Sequence, residues 1–398
     1  MNMLSSLDKK KVLIVATVPE TVNAFLLPYM RELAASGCDV YLATGEGAEI
    51  CNIDGIVKKY YKVPLTRKMS PLEDMRALLR IIRICRKNRF DLIHTHTLKA
   101  SLIGQVAARI ANIKARFETV HGTRYMPELP VVSRLVIVWS ERIAAKLSQK
   151  VWVLNTEDFD FFENRIHIYA PKLELLSRGG IGVDLIKYRP ACLSNHQRAE
   201  YKKRLNLPGD GFVVGFVGRP VVDKGILDLR TAWEKVVLKC KNIRLLIIAC
   251  VLASDRSEEL INIEELKTMK NTVVLTNRND MPELYNCMDM LVLPSYREGF
   301  SRVILEACSC GLPVVTTDVR GCRDAIEDGE TGFLVPPKAP GKLAEKITTL
   351  FRDGDLCVKM GAAARTYAEG NFDQRRIIDR INRTYQEYLS ISENSGKD

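Results

Sequence analysis

Two glutamates eight residues apart mark the segment Pro294–Ala307, whose residue types could carry chemistry on an anionic ligand. The pattern predicts a strand, then a loop with Glu298 and Gly299, and then a helix that begins near Ser301. Free backbone amides at a helix N-terminus bind phosphate oxygens, and a glycine lets such a ligand approach the backbone closely. Glu298 and Glu306 add carboxylates that could accept hydrogen bonds from hydroxyl groups. The alternative is a surface loop followed by an acidic helix.

Two cations follow another apolar run, in the segment Val217–Gly225. Arg219 and Lys224 are predicted to lie in the turn at the carboxyl end of a strand, which is where open α/β sheets bind ligands. Positive charge there could stabilise the negative charge that develops on a departing diphosphate. The alternative is a pair of solvated loop charges.

Histidines follow two of the predicted strands. His121 comes directly after the apolar run that ends at Val120, and His94 and His96 close the segment Asp91–His96. We expect His121 to act in a functional site. For His94 and His96 we expect a structural role, either capping a helix or hydrogen bonding at a strand end. A His-x-His metal site would need a third ligand, and none stands at a matching spacing.

A basic helix is predicted over residues 70–89, with Ser70 as N-cap and Pro71 at the first helical position. Its cations share one face: Arg76, Arg80, Arg83 and Lys87. An apolar stripe is predicted on the opposing face: Leu72, Met75, Leu79 and Ile82. Such a helix either packs its apolar side on a sheet and solvates its charges, or offers a docking face to an anionic surface.

The charge of the chain is concentrated in its first half. Residues 1–181 hold 27 Lys and Arg against 18 Asp and Glu, which accounts for +9 of the net +11. This excess predicts an anionic partner there: membrane lipid, a phosphorylated acceptor or nucleic acid. The segment Pro130–Trp139 in the same half is apolar enough either to form core or to pack on a lipid surface.

The elements that must position these residues alternate between short apolar runs and amphipathic helical patterns. In the first half the runs are 11–16, 39–43, 91–94, 115–120 and 150–154, and in the second they are 211–218, 243–249, 272–275, 290–293 and 313–316. Apolar runs that alternate with helices predict parallel sheets covered by helices on both faces. Two such series predict an α/β protein with two doubly wound, Rossmann-like domains.

The glycine-rich segment Gly179–Asp184 predicts the junction, with an N-terminal domain over residues 1–181 and a C-terminal domain over 182–372. The last helix is predicted over 373–389 and is expected to pack back onto the first domain. The tail 390–398 is predicted to be disordered.

Composition sets the class of protein. Of 398 residues, 46% are hydrophobic and 27% charged, which is typical of a globular protein with more than one core. No stretch approaches the ~20 apolar residues that span a bilayer, and the first apolar run is too short for a signal peptide. We therefore expect a cytoplasmic location. The 11 cysteines follow no repeated spacing, which favours core residues over a disulfide framework or a zinc site.

Together these motifs resemble family 4 of the glycosyltransferases, which are retaining, metal-independent enzymes with the GT-B fold. The similarity is greatest to the bacterial branch that builds capsule, O-antigen and lipid-linked oligosaccharides, and it covers nearly the whole chain. The pair Glu298 and Glu306 matches the family signature, and the segments Asp280–Tyr285 and Thr317–Asp324 also resemble that branch. The resemblance implies two Rossmann-like domains that face each other across a cleft.

The resemblance also implies roles for single residues. Glu298 would contact the donor sugar and Glu306 the ribose, while backbone around Ser301 would hold the sugar and phosphates. The expected catalytic residues are His121, beside the transferred sugar, Glu298, and the diphosphate-binding pair Arg219 and Lys224. The expected donor-binding residues are Gly218, Gly299, Phe300, Ser301 and Glu306.

Three departures from the family pattern stand out. The loop Thr17–Asn23 replaces a glycine pair that many members carry after the first strand, so the contribution of the first domain to diphosphate binding is in question. Ala249 and Cys250 stand where glycine is usual, and Pro220 replaces a leucine-like residue. None of them removes a side chain assigned to chemistry.

The resemblance therefore implies a retaining transferase that moves a sugar from a UDP-sugar to an acceptor hydroxyl. The resemblance implies a polyprenyl-diphosphate-linked acceptor, an enzyme peripheral on the anionic inner face of the cell membrane, and surface polysaccharide as the product. It implies no metal, no other cofactor and no nucleic-acid partner. Two alternatives stay open: a nucleotide-sugar 2-epimerase of GT-B fold, and a non-catalytic nucleotide-sugar-binding protein.

Overall fold

The computed structural model describes residues 7–50, 52–68, 70–176, 182–251 and 261–394. The chain divides into two compact units: unit 1 contains residues 1–176 and 376–398, and unit 2 contains residues 177–375. The boundary predicted at residue 181 falls on residues 177–181, which lie outside the described part of the chain.

Unit 1 is built on a parallel sheet with the strand order β3-β2-β1-β4-β5-β6-β7. The strands are β1 Lys11–Ala16, β2 Asp39–Thr44, β3 Val57–Lys62, β4 Leu92–His96, β5 Ala115–Val120, β6 Lys150–Val153 and β7 Leu173–Leu175. The helices are α1 Pro19–Thr21, α2 Leu27–Ala35, α3 Pro71–Asn88, α4 Leu98–Ile110, α5 Val131–Leu147 and α6 Thr156–Phe161. The central strands are apolar runs whose side chains are buried, as expected for a sheet covered by helices.

Unit 2 repeats this plan with a parallel sheet of order β10-β9-β8-β11-β12-β13. Its strands are β8 Phe212–Gly218, β9 Ile243–Ala249, β10 Thr272–Thr276, β11 Met290–Leu293, β12 Val314–Thr317 and β13 Gly332–Val335. Its helices are α7 Asn195–Arg204, α8 Ile226–Lys239, α9 Ile263–Lys267, α10 Met281–Asn286, α11 Arg302–Ser309, α12 Pro340–Arg352 and α13 Gly354–Asn371, and α14 Gln374–Asn394 follows. The predicted α/β class with two doubly wound units is confirmed.

Each sheet has one point at which the strand order reverses. In unit 1 this point lies between β1 and β4, and in unit 2 it lies between β8 and β11. Loops that leave neighbouring strands at such a point run in opposite directions and open a crevice at the carboxyl edge of the sheet. The fold therefore gives each unit one preferred place for a ligand.

Helix α14 belongs to unit 1 from residue 376 onward and completes its core. The Tyr385 ring is fully buried and packs against Phe117, with ring centroids 4.8 Å apart. The helix runs on to Asn394, so the prediction that it ends at Leu389 and gives way to a disordered tail was wrong for residues 390–394. Residues 395–398 of that tail lie outside the described residues.

Helix α3 buries a different face from the one predicted. Of the predicted apolar stripe, Leu72, Met75 and Leu79 are 77%, 55% and 45% exposed. The fourth residue of the stripe, Ile82, is buried. The buried face is instead Ala77, Ile81, Ile84 and Cys85. The helix has apolar residues on two sides, and the side with the smaller and β-branched side chains is the one that packs into the core of unit 1. Ser70 is the N-cap residue but makes no side-chain capping bond.

Candidate active site

The reversal point of unit 2 brings two predicted loops together. Strands β8 and β11 are neighbours, with Val214 opposite Met290. Gly225, which follows the loop after β8, has a φ of +67°, and a Cβ there would lie 1.9 Å from the carbonyl oxygen of Pro294 after β11. Only glycine permits this approach. The backbone of the two loops is joined as well, because Tyr296 N donates to Asp223 O at 2.8 Å.

This approach pairs the two residues that the sequence singled out on separate loops. Lys224 Nζ lies 2.5 Å from Glu298 Oε1, and the two side chains are 21% and 9% exposed. The hydroxyl of Ser295 also donates to Glu298 Oε1, at 2.8 Å. The carboxylate is thus held by a cation and a hydroxyl at the carboxyl edge of the sheet.

The other signature glutamate is held from two sides. Glu306 lies on α11 and is buried, and it accepts from Arg302 Nε at 2.9 Å and from Tyr285 Oη at 2.9 Å. Each carboxylate oxygen has two lone pairs, so both retain the capacity to accept from a further hydroxyl. Ser301 is the N-cap residue of α11, and its side chain makes no capping bond.

The remaining unit 2 candidates lie around these glutamates. Gly218 is the last residue of β8, and the half-buried Arg219 follows it directly. Gly299 and Phe300 lie in the loop between Glu298 and α11. The structure therefore brings Lys224 and Glu298 into contact and places the other predicted donor-binding residues on the same two loops.

Two histidines lie at the carboxyl edge of the unit 1 sheet, at the ends of β4 and β5. His96 is the last residue of β4, and His121 directly follows β5. His96 Nδ1 and His121 Nε2 lie 3.0 Å apart. Burial lowers the pKa of His121 to about 4 and the pKa of His96 well below its usual value. Both rings are therefore neutral near pH 7.

His94 has the structural role that was expected, and it fills that role by hydrogen bonding and not by capping a helix. It lies within β4, and its Nδ1 and Nε2 bond Tyr385 Oη at 2.5 Å and Thr119 Oγ1 at 2.8 Å. Neither His94 nor His96 caps a helix, because α4 begins after Thr97, whose side chain makes no capping bond. The prediction of a structural, hydrogen-bonding role holds for His94, although its bonds form in the middle of the strand and not at its end, and the prediction of helix capping was wrong.

The sequence did not single out three residues that hold the glutamates: Ser295, Tyr285 and Arg302. Arg302 stands four residues before Glu306 on a predicted helix, and that spacing places two side chains side by side. That signal could have found Arg302. Ser295 and Tyr285 act through tertiary contacts that have no local pattern. Among the described residues, no group of three or more His, Cys, Asp or Glu side chains is arranged to hold a metal ion.

Two family models match the chain along most of its length. Residues 11–150 match the model described as "Glycosyl transferase 4-like", and residues 197–367 match "Glycosyl transferases group 1". The chain is a glycosyltransferase. In this glycosyltransferase, the two candidate loops of unit 2 lie within the match over residues 197–367. His96 and His121 lie within the match over residues 11–150.

Individual relatives agree with the family. The glycosyltransferase is 29% identical to the capsular polysaccharide biosynthesis glycosyltransferase CapM of Staphylococcus aureus, over 97% of this chain and 100% of CapM. It is 28% identical to the UDP-Gal:alpha-D-GlcNAc-diphosphoundecaprenol alpha-1,3-galactosyltransferase of Escherichia coli, over 87% of this chain and 88% of that protein. The crystal structure of Anabaena HepE in complex with UDP is similar in fold, with a TM-score of 0.75 and 20% identity. The match covers 95% of this chain and 100% of HepE. The fold is GT-B.

Proposed function

We propose that this glycosyltransferase moves a sugar from a UDP-sugar to an acceptor hydroxyl and retains the configuration of the anomeric carbon. The observation that carries the proposal is the ion pair of Lys224 and Glu298 at the reversal point of unit 2. A cation and a carboxylate at that edge supply the two recognition elements that a sugar diphosphate needs, one for phosphate and one for hydroxyl groups.

In the proposed mechanism, Lys224 and Glu298 each change partner when the donor binds. Lys224 turns from Glu298 to the diphosphate, and Glu298 accepts a hydroxyl of the sugar. Negative charge grows on the leaving diphosphate as the glycosidic bond breaks, so Lys224, Arg219 and the N-terminus of α11 stabilise the transition state more than the ground state. Glu306 accepts from the ribose, and His121 contacts the transferred sugar.

The retaining route that we propose uses no carboxylate nucleophile. Retaining glycosidases use two carboxylates about 5 Å apart, one of them as nucleophile. Here Glu298 is paired with a lysine and a serine hydroxyl. We propose that the acceptor attacks from the face that the diphosphate leaves, and that the leaving phosphate takes the acceptor proton. No step requires a metal ion or another cofactor.

The choice of donor and acceptor is supported by relatives. HepE was crystallised with UDP and with UDP-glucose, and the name of the Escherichia coli relative gives UDP-Gal as donor and a diphosphoundecaprenol-linked sugar as acceptor. We propose the same classes for this chain: a UDP-sugar, and a saccharide on a polyprenyl diphosphate in surface polysaccharide synthesis.

A panel of labelled UDP- and GDP-sugars, with and without a polyprenyl-diphosphate saccharide, tests the proposal. We expect transfer from a UDP-sugar only in the presence of acceptor, and NMR of the product should show the anomeric configuration of the donor. Inverted product would refute the mechanism. A donor epimer formed without acceptor would identify an epimerase, and donor binding without any product would identify a binding protein.

The proposed acceptor stays at the membrane, and unit 1 offers a surface that could reach it. Helix α5 exposes six large apolar side chains: Val131, Val132, Leu135, Val136, Trp139 and Ile143. Helix α4 packs against both α5 and α3. Helix α3 exposes Leu72, Met75 and Leu79 beside Arg76, Arg80, Arg83 and Lys87, all of which are exposed. We call these residues the α3/α5 surface.

Exposed apolar side chains and exposed cations on the two helices that pack against α4 fit an anionic lipid bilayer. Apolar side chains enter the interface, and each Lys or Arg near an anionic leaflet contributes about 1 kcal/mol that salt weakens. Among the described helices, none is long and apolar enough to cross a bilayer. We propose that the α3/α5 surface holds the enzyme at the inner face of the cell membrane.

Fluorescence can locate this contact, because only Trp139 of the three tryptophans is exposed. With anionic vesicles at low salt we expect a blue shift of Trp139 emission and co-sedimentation. Reversing Arg80 and Arg83 to glutamate should release the protein, whereas the same charge change at the exposed Lys239 and Lys241 of unit 2 should not. A double change of Leu135 and Val132 to serine should also weaken binding, and serine at the exposed Leu238 and Val358 is its control. Unchanged Trp139 emission, or equal binding to neutral vesicles, would contradict the proposal.

A further inference from the structure

Two neutral histidines share one hydrogen bond at the carboxyl edge of the unit 1 sheet. His96 Nδ1 and His121 Nε2 are 3.0 Å apart. Burial lowers the pKa of each ring, so near pH 7 each imidazole carries one N–H and one bare nitrogen. Only one of the two facing nitrogens can hold the shared proton, and its position fixes the tautomer of both rings.

The surroundings of His96 distinguish the two arrangements. His96 Nε2 is buried and has no hydrogen-bond partner among the described residues. If His121 were the donor, His96 Nε2 would carry an N–H that points at no acceptor, and orphaned buried N–H groups are rare in proteins. If His96 donates from Nδ1, its Nε2 exposes only a lone pair, whose desolvation is tolerated more often.

The ring contacts hold this pair in place. The His96 ring lies against His94, with centroids 4.1 Å apart, and His94 is itself bonded at both nitrogens. On the other side, the His121 ring packs against Phe25 with centroids 5.5 Å apart. Neither ring is therefore free to turn its nitrogens away without breaking other contacts.

We infer that His96 is a positioning residue that donates from Nδ1 to His121 Nε2 and holds His121 as the Nδ1–H tautomer. His121 then offers a hydrogen-bond donor, and its remaining nitrogen cannot act as a general base. The inference rests on the proposed function in one respect: the group that receives this N–H is an oxygen of the transferred sugar. It also requires that the acceptor proton leave by another route, as the proposed mechanism has it.

The test is nitrogen NMR of the full-length protein with ¹⁵N-labelled histidine. The chain has five histidines, and the signal that is lost in His121→Gln assigns His121. At pH 7 we expect a protonated Nδ1 and a bare Nε2 on His121. His96→Phe keeps a ring but removes the donor, and should lose this preference and lower kcat/KM roughly tenfold or more. His96→Asn keeps an N–H near the position of Nδ1 and should restore both.

His94→Phe is the matched control, because it alters the same buried cluster but removes no bond to His121. It should leave the His121 tautomer unchanged. A wild-type spectrum with the proton on Nε2 overturns the inference without any variant, and so does an unchanged His121 spectrum in His96→Phe. If the spectra follow the inference while His121→Gln transfers sugar at the wild-type rate, the hydrogen-bond assignment stands and the proposed role of His121 in transfer fails.

Discussion

Lys224→Met separates the catalytic from the structural role of the Lys224–Glu298 pair. The substitution keeps the length of the side chain and removes its charge, so that the hydroxyl of Ser295 is the remaining partner of Glu298 Oε1 among the described residues. Breaking a buried ion pair costs ~3–5 kcal/mol. Because the Lys224 side chain is 21% exposed, we discount this to about 2–3 kcal/mol. For a unit of this size the cost lowers Tm by roughly 4–12 °C.

The same substitution should lower kcat more than tenfold at saturating donor, because the charge of Lys224 acts mainly as the diphosphate departs. The double variant Lys224→Met with Glu298→Gln leaves no uncompensated charge and should recover most of the lost Tm. It should not recover kcat. Thermal unfolding and steady-state kinetics on the same samples give both quantities.

Two results would refute this reasoning. Near-normal kcat in Lys224→Met at saturating donor would remove Lys224 from the transition state. Equal recovery of Tm and kcat in the double variant would show that the lysine acts only by keeping the loops folded.

Three further outcomes are expected. Burial raises the pKa of Glu118 to about 7, so the native state binds a proton that the unfolded chain has lost above about 4.5. Stability should therefore fall as pH rises from 4.5 to 7. At pH 8 Glu118→Gln should be more stable than wild type by on the order of 3 kcal/mol and should unfold at a higher temperature, but not at pH 4.5. An identical Tm difference at both pH values would contradict this. Arg302→Met frees Glu306 from its cation and should raise KM for the donor several-fold while kcat changes less, which donor titration measures; an unchanged KM would show that Arg302 does not orient Glu306. Transfer should persist in excess EDTA, and complete loss that magnesium or manganese restores would contradict a metal-free site.

The sequence predicted the elements that local pattern determines. The strands Lys11–Ala16, Ala115–Val120 and Met290–Leu293 match the structure residue for residue, because a buried strand between helices must be a short apolar run. The strand Val57–Lys62 was not predicted, because it lies at the sheet edge and has mostly polar, partly exposed residues. An edge strand lacks the apolar run on which the prediction depended.

The candidate site was predictable in its parts and not in its contacts. Each loop shows its functional residues locally, but the pairing of Lys224 with Glu298 depends on β8 and β11 being neighbours, and 74 residues separate the two side chains. The bond from His94 to Tyr385 spans 291 residues. The burial of α3 was misjudged for a different reason: with apolar residues on two sides, helical periodicity does not say which side the sheet will cover.

The position of Tyr385 has a consequence for how the chain is made. Unit 1 is synthesised first, but its core lacks this ring, which fills the space between Tyr29, His94 and Phe117, until the last helix has left the ribosome. About 200 residues separate the two parts of unit 1. At about 5–20 residues per second, the first sheet waits roughly 10–40 s for its final helix. Unit 2, whose residues are continuous in the chain, can close its own core during that interval, so the part of the molecule that is translated first is the part that finishes folding last.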